Sequence, residues 1–222
     1  MDDFRCGVVK SAYGRVLEFG PGGGANFKCW GKDRQSNITD FVGVDPNQKF
    51  ARKLQETAEK EGVPFNTTLV GLRGEDVDIE PASFDFVVAT HVLCSVSDRK
   101  QVLRQVERAL KPGGTFLFME HVLARTWESE VGFVDTDAEM VLWWQKLVAP
   151  FFNVVGRGCT FSEQWTDLLF LQDLGMDLKL SHIAAPHSLS ILRPHVVGYA
   201  HKPLQREPEP EHESTHESEQ NS

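Results

Sequence analysis

Residues 16–26 read Val16-Leu17-Glu18-Phe19-Gly20-Pro21-Gly22-Gly23-Gly24-Ala25-Asn26. A short apolar strand, Arg15–Phe19, runs into glycines at three alternate positions, Gly20, Gly22 and Gly24. Glycine reaches positive φ without steric cost and lets a ligand approach the backbone closely. A helix expected to open over Asn26–Gly31 would present its unpaired N–H groups to the same space. Such a loop, at the end of the first strand, is where an open α/β sheet takes its ligand. Two ligand readings fit. Gly20-x-Gly22-x-x-Ala25 matches a dinucleotide fingerprint. Glu18-x-Gly20-x-Gly22-x-Gly24 sets an acidic residue two positions before the first glycine, which suits a nucleoside carrying a cationic amino acid, because an anion can orient its ammonium. A tight turn without a ligand is the plain alternative.

Outward from this loop the chain alternates between two periods. Thr39–Val44 reads as a second strand, and Asn47–Glu61 as a helix with Phe50, Leu54 and Ala58 on one face and Gly62 as its stop. Phe65–Leu72 is a third strand. Phe84–Thr90 is a fourth, apolar enough to be buried on both faces. Asp98 caps the next helix, whose stripe is Val102, Leu103, Val106 and Leu110; Lys111-Pro112-Gly113-Gly114 ends it before a fifth strand, Thr115–Met119. The C-terminal third breaks the pattern. A Trp-rich helix near Asp137–Val148 and a helix over Ser162–Leu174, stopped by Gly175, precede two strands, Leu178–Ile183 and Val196–Ala200, with no helix between them. The expected fold class is therefore α/β: a Rossmann-like, doubly wound, mostly parallel seven-stranded sheet with an antiparallel C-terminal hairpin.

Composition bounds the rest. A chain of 222 residues suits one domain with a tail. With 41% hydrophobic and 25% charged residues it is neither collagen-like, coiled-coil nor wholly disordered. The net charge of −9 is uneven: residues 203–222 hold six Glu and one Arg, which leaves the body 26 acidic and 22 basic residues, about −4. That balance gives nucleic-acid binding no electrostatic support. The organisation expected is a short N-terminal segment (1–14), one domain (15–202) and a disordered acidic tail (203–222), whose His212 and His216, with His201 before them, read as solvated and not as a metal tract. Cys6, Cys29, Cys94 and Cys159 are scattered, which argues against a zinc ribbon or a disulfide-stapled scaffold and fits a reducing, cytoplasmic setting. Met1–Lys10 lacks the apolar run of a signal peptide. The most apolar later window, Val141–Val155, is interrupted by Gln145, Lys146 and Pro150 and falls short of the roughly 20 residues a span needs. A segment lying on a membrane surface stays open.

Further polar residues fall at strand ends. Asp45, 21 positions after Gly24 in Gly43-Val44-Asp45-Pro46, is placed to accept hydrogen bonds from ribose hydroxyls, with a helix N-cap as the alternative. Arg73-Gly74-Glu75-Asp76 offers an adenine ring a backbone N–H and a carboxylate, or is a surface turn. Thr90-His91 ends the fourth strand and Glu120-His121 the fifth. His91 and His121 are candidate bases, or hydrogen-bonded structural histidines. Cys94 reads as a small buried hydrophobe. Trp143, Trp144, Phe151 and Phe152 could line an apolar acceptor pocket, but core packing is the favoured reading.

In order along the chain, Glu18-x-Gly20-x-Gly22-x-Gly24, Asp45, Phe84-Asp85 and Leu110-Lys111-Pro112-Gly113-Gly114 resemble the class I S-adenosylmethionine-dependent methyltransferases. Gly24-Ala25-Asn26-Phe27, Asp45-Pro46-Asn47, Val92-Leu93-Cys94-Ser95-Val96, Phe118-Met119-Glu120-His121-Val122, Arg193-Pro194-His195 and Gly198-Tyr199-Ala200 are similar to the methyltransferase-like alkyl thiol methyltransferases of animal microsomes. The resemblance covers Arg15 to Lys202. It implies methyl transfer from S-adenosyl-L-methionine to a small acceptor, an alkyl thiol in those relatives, and peripheral contact with the endoplasmic reticulum membrane. It places Glu18, Gly20, Pro21, Gly22 and Gly24 around the amino-acid end of the cofactor. Asp45 and Pro46 fall at its ribose, Gly74 and Glu75 at its adenine, and Thr90 among its contacts at the carboxyl edge of the sheet. Pro21 and Gly23 stand where Cys and Thr are usual, His91 where an apolar residue is common, and Arg73 where many relatives carry an acid. Those relatives also cover the cofactor with N-terminal helices, whereas about fourteen residues precede the first strand here. The alternatives are a methyltransferase fold kept for binding without turnover and a nicotinamide-dependent oxidoreductase.

Overall fold

Seven strands form a single sheet in the computed structural model, which describes residues 2–34, 36–124, 138–155, 165–185 and 189–204. They are β1 (Gly14–Phe19), β2 (Ile38–Val44), β3 (Asn66–Val70), β4 (Phe84–Thr90), β5 (Leu110–His121), β6 (Asp177–Ala184) and β7 (Pro194–His201). Their order is β3-β2-β1-β4-β5-β7-β6. The first five run parallel; β7 is antiparallel to both β5 and β6, which is the expected hairpin at the sheet edge. The order reverses between β1 and β4, so the carboxyl ends of those two strands frame the crevice where such sheets bind ligands.

The strands are apolar on both faces because both faces are covered. On one side Leu17, Val87, Ala89 and Phe118 pack with Val102, Leu103 and Val106 of α3 (Arg99–Ala109). On the other, Val16, Phe41, Phe86 and Val88 pack with Leu54 and Ala58 of α2 (Phe50–Glu61) and with Phe27 and Trp30. Gly62 stops α2 in the left-handed region at φ 62°, and Asp98 caps α3 by accepting from the Gln101 N–H at 2.9 Å.

Several expectations change. The helix expected from Asn26 shrinks to two 3-10 turns, Phe27–Cys29 and Lys32–Arg34. Side chains three apart eclipse in a 3-10 turn, and this lets Phe27 and Trp30, both buried, pack on the same side with ring centroids 6.4 Å apart. α3 ends at Ala109, and Lys111–Gly114 belongs to β5, which begins at Leu110 opposite Phe84. The helix expected over Ser162–Leu174 is two short ones, α5 (Trp165–Leu168) and α6 (Phe170–Asp173), with residues 162–164 outside the described range. The Trp-rich helix, α4 (Ala138–Val155), runs seven residues past its expected end, while Asp137 lies outside the described residues, as does the expected disordered tail from residue 205 with His212 and His216. His201 ends β7, its ring 3.2 Å from the Thr115 hydroxyl.

The N-terminal segment differs most. Asp2–Val9 forms α1, which buries Cys6 and Val9 against Cys29, Trp30 and Ile38. Cys6 and Cys29, 23 residues apart, are joined by a disulfide, against the expectation of reduced, unpaired cysteines. Trp30 adds a hydrogen bond from its indole Nε1–H to the Val9 carbonyl at 2.9 Å, and Lys28 pairs with Asp2. Spacing alone could not show this, because the pairing depends on α1 folding back over the turn that follows the glycine loop.

Candidate active site

The glycine loop turns sharply away from β1: Gly20, Gly22 and Gly24 have φ of 63°, 52° and 82°. At Gly20 a Cβ would also lie 2.4 Å from Cγ2 of Val92, whereas at Gly22 it would meet nothing within 4 Å. Open space therefore lies over the middle of the loop. Pro21 packs over Gly43 of β2, where a Cβ would come within 2.6 Å of its ring.

Glu18, on the last turn of pleat in β1, is only 2% exposed. Its Oε1 accepts from Asn26 Nδ2 at 2.8 Å, while Oε2 is buried with no hydrogen-bond partner among the described residues. Burial pushes its carboxyl up to about 8, against the pull of the Arg5 charge and the Asn26 bond. A buried carboxylate oxygen with no donor is completed by a cation carrying N–H groups. Asp45, just past β2, accepts from the Gly22 N–H at 3.2 Å and from the Asn47 N–H at 2.9 Å. It thus caps the turn before α2 and also borders the glycine loop. A carboxylate offers about four acceptor positions, so two remain for hydroxyl donors. Pro46 carries the chain from Asp45 into that turn. Gly74 packs against Phe19 and Val102, which sets its loop beside the end of β1, and Glu75 accepts from the Ser97 N–H at 3.3 Å. These features fit a nucleoside with a zwitterionic amino acid attached.

A second group of side chains lies beside the first. Thr90 Oγ1, at the end of β4, accepts from Asn26 Nδ2 at 3.2 Å and from Arg5 Nη1 at 2.9 Å. Arg5 also reaches Asn26 Oδ1 at 3.3 Å and His91 Nδ1 at 3.2 Å. His91 holds a φ of 57°, unusual for a residue with a side chain. Its turn is pinned by Glu120, whose Oε1 accepts from the Val92 and Leu93 N–H groups at 3.0 and 3.1 Å. Burial also raises the Glu120 carboxyl well above the carboxylate range, with those two N–H groups pulling the other way.

The rings of His91 and His121 stack with centroids 4.1 Å apart, and His195, directly across from His121 in the β5–β7 register, closes the cluster. A guanidinium only donates, so Nδ1 of His91 accepts from Arg5, and a neutral His91 carries its proton on Nε2. That proton points to Nε2 of His195 at 2.9 Å, whose Nδ1–H donates to the Arg193 carbonyl at 2.9 Å. The three imidazoles each offer a nitrogen within 4.8 Å of the others, close enough to share a metal ion. Arg5 favours the proton network instead, because a divalent cation here would sit one ring away from a guanidinium.

The sheet thus gathers Glu18, the glycine loop, Asp45 and Thr90, and sets His91 and His121 beside them. Gly74 borders the end of β1 against Phe19, and Glu75 beside it is tied to Ser97. Arg5 and His195 carried no assigned role in the sequence, and neither did Asn26 or Glu120 beyond the motifs containing them. Asn26 was the most detectable, as the polar residue closing the glycine loop. Cys94 is buried, as expected, with Sγ 3.7 Å from the His91 carbonyl. The aromatics of α4 do not pack in the core. Trp143, Trp144 and Phe151 are 59%, 46% and 77% exposed, on one stripe with Met140 and Leu147. The opposite face is anchored by buried Gln145, which accepts from the Ala124 N–H at 2.7 Å and donates to the Ile191 carbonyl at 2.9 Å. The Phe152 side chain lies outside the described residues. No helix among the described residues is long and apolar enough to cross a membrane.

Comparison with known proteins shows the family and the fold. Residues 17–118 match a family described as a methyltransferase domain. The chain is 36% identical over 191 residues to the human thiol S-methyltransferase TMT1A, a match covering 84% of this chain and 70% of that protein. It is 31% identical over 199 residues to human thiol S-methyltransferase TMT1B, covering 87% and 74%. Among solved structures, the Bacillus subtilis YcgJ protein matches with a TM-score of 0.64 at 15% identity, covering 91% of this chain and all of that one. The [4+2]-cyclase SpnF matches with a TM-score of 0.65 at 14% identity, covering 92% and 80%. Likeness at that identity shows the fold alone, and a cyclase among its holders shows that the fold does not fix the reaction.

Proposed function

The chain belongs to the thiol S-methyltransferase family, and from that premise we propose that it methylates the sulfur of a small alkyl thiol, with S-adenosylmethionine as the methyl donor. The cofactor supplies a methyl group on a sulfonium, a good leaving group, so the protein's main task is to position two reactants in line. One observation carries the reading: two unlike sites meet on one sheet edge. Glu18, the glycine loop and Asp45 form a cradle for a charged nucleoside, and the imidazoles of His91, His121 and His195 stand beside it.

Each group has a defined task. Glu18 orients the ammonium, Gly20, Pro21, Gly22 and Gly24 leave room for the amino-acid end, and Asp45 with Pro46 holds the ribose. Gly74 and Glu75 border the adenine, and Thr90 lies on the side facing the acceptor. A thiol reacts as its thiolate, and of the two candidate bases His121 is better placed to take the proton. His91, whose Nδ1 is engaged by Arg5 and whose Nε2 faces His195, orients His121 by stacking. The exposed aromatic stripe of α4 supports peripheral contact with a membrane surface, where apolar thiols collect. Co-sedimentation with phospholipid vesicles tests that part, and a Trp143→Ser, Trp144→Ser variant that sediments equally well would refute it.

The central test is to incubate the protein with S-adenosylmethionine and a series of alkyl thiols and to measure thioether and S-adenosylhomocysteine together. Equimolar formation of both supports the reading. Tight binding of S-adenosylhomocysteine with no thioether from any thiol would move the chain to the binding-only alternative. A nicotinamide reading is disfavoured by Glu18, because a dinucleotide loop has no use for a buried carboxylate awaiting a cation.

A further inference from the structure

We infer that Arg5, carried by α1, holds the carboxylate of the cofactor's amino-acid end, and that the Cys6–Cys29 disulfide keeps it there; the inference rests on the cofactor reading above. Arg5 lies at one remove from Glu18. Asn26 accepts from Arg5 through Oδ1 and donates to Glu18 through Nδ2, so a single side chain links the guanidinium to the buried carboxyl. An amino-acid zwitterion needs one anion for its ammonium and one cation for its carboxylate, and Glu18 and Arg5 are that pair.

Arg5 is also short of an anion. Among the described residues its hydrogen bonds go to Thr90, Asn26 and His91, none of them a carboxylate. Glu18, Asp2 and Glu120 act on its charge only at a distance: Asp2 is paired with Lys28, and burial pushes the two glutamates toward the protonated form. A guanidinium has five N–H donors in a planar fork that matches a carboxylate two-pronged, and three bonds do not exhaust them.

The tether follows from position. Cys6 is the next residue after Arg5, and Cys29 lies three residues past Asn26, so the disulfide clamps the helix bearing the guanidinium to the turn bearing its partner. An eight-residue helix has little stability of its own in water. Its other ties to this turn are the packing of Val9 in one apolar cluster with Phe27 and Trp30, the hydrogen bonds Trp30–Val9 and Arg5–Asn26, and the partly exposed Lys28–Asp2 pair, none of them covalent.

The test compares ligands that differ only at the amino-acid end, by calorimetric titration without acceptor. S-adenosylhomocysteine carries both charges, its decarboxylated analogue keeps the ammonium, and 5′-methylthioadenosine has neither. Arg5→Ala is expected to weaken S-adenosylhomocysteine tenfold or more, about 1.4 kcal/mol, and to leave the other two within twofold. A Cys6→Ser, Cys29→Ser variant is expected to show the same selective loss at several-fold. Equal loss for all three ligands, or no loss for S-adenosylhomocysteine, overturns the role of Arg5. A double-Ser variant that binds like the parent overturns the tether. A well-folded parent that binds none of the three ligands sinks the cofactor reading itself, which separates that failure from the others.

Discussion

Asn26 donates its side-chain amide to Oε1 of Glu18 at 2.8 Å, across the glycine loop that separates them by eight residues. The bond holds one oxygen of a buried carboxyl and leaves Oε2 without a hydrogen-bond partner among the described residues, open to the proposed ligand ammonium.

Cofactor binding should therefore take a proton off Glu18. Its carboxyl, pushed up to about 8 by burial, is protonated at pH 6–7 in the free protein. An ammonium partner favours the ionised form, so binding releases a proton below pH 8 and affinity rises with pH through that window. S-adenosylhomocysteine affinity should climb from pH 6 to 8 with a slope approaching one decade per pH unit. Titrations in buffers of different ionisation enthalpy would show the proton directly. A Glu18→Gln variant should bind more weakly above pH 8 and lose the slope.

Asp45→Ala removes the acceptor for the Gly22 and Asn47 N–H groups as well as the proposed ribose contact. S-adenosylhomocysteine affinity should fall at least tenfold, about 1.4 kcal/mol, by calorimetry.

His121→Ala should cut turnover with a thiol by about 10²-fold or more, the usual loss for a general base, and leave S-adenosylhomocysteine affinity near the parent value. The variant's rate should recover as pH is raised toward the pKa of the thiol, because the acceptor then ionises unaided. A rate loss that is independent of pH would count against a base.

Gly20→Ala tests the loop. The residue sits at φ 63° with Val92 Cγ2 where the new methyl would go, at 2.4 Å. Strain in the left-handed region costs roughly 1–2 kcal/mol, and displacing Val92 would disturb the turn that carries His91. Both a lower melting temperature and a loss of cofactor affinity are expected; Gly22→Ala carries the same left-handed strain at φ 52°, but its methyl enters open space, so its melting temperature should fall less than that of Gly20→Ala.

Reducing agent should lower the melting temperature. The disulfide closes a loop of 23 residues, and the chain-entropy estimate for a loop of that order is about 3 kcal/mol. For a chain of this size that is about 6–12 °C. Melting curves with and without reductant, and of the Cys6→Ser, Cys29→Ser variant, measure it.

The alternation of strands and helices and the glycine loop could be read from the residues because local patterning produces them. Period-two and period-3.6 spacing marked β2, β4, α2 and α3 to within a few residues, and Glu18, Asp45, Thr90, His91 and His121 could be placed because each sits at a strand end. What failed was long-range or depended on packing. The helix expected at Asn26 gave way to 3-10 turns because Phe27 and Trp30 are both drawn into the core. The aromatics of α4 were expected inside because their spacing is that of a buried stripe, yet Gln145, a polar residue, holds the inward face through three hydrogen bonds to backbone groups.

By itself, then, the sequence determined the α/β sheet, the position of the ligand crevice and the acidic-glycine signature at its edge, since each depends on residues within about ten positions of one another. Only the tertiary structure decided that Arg5 reaches Thr90, that His91 meets His195 and that Cys6 bonds Cys29, at separations of 85, 104 and 23 residues. Contacts of that span carry no periodicity to read. They arise when the sheet order brings distant strand ends to one edge and α1 folds back over them, which is a property of the packed chain and not of any stretch of it.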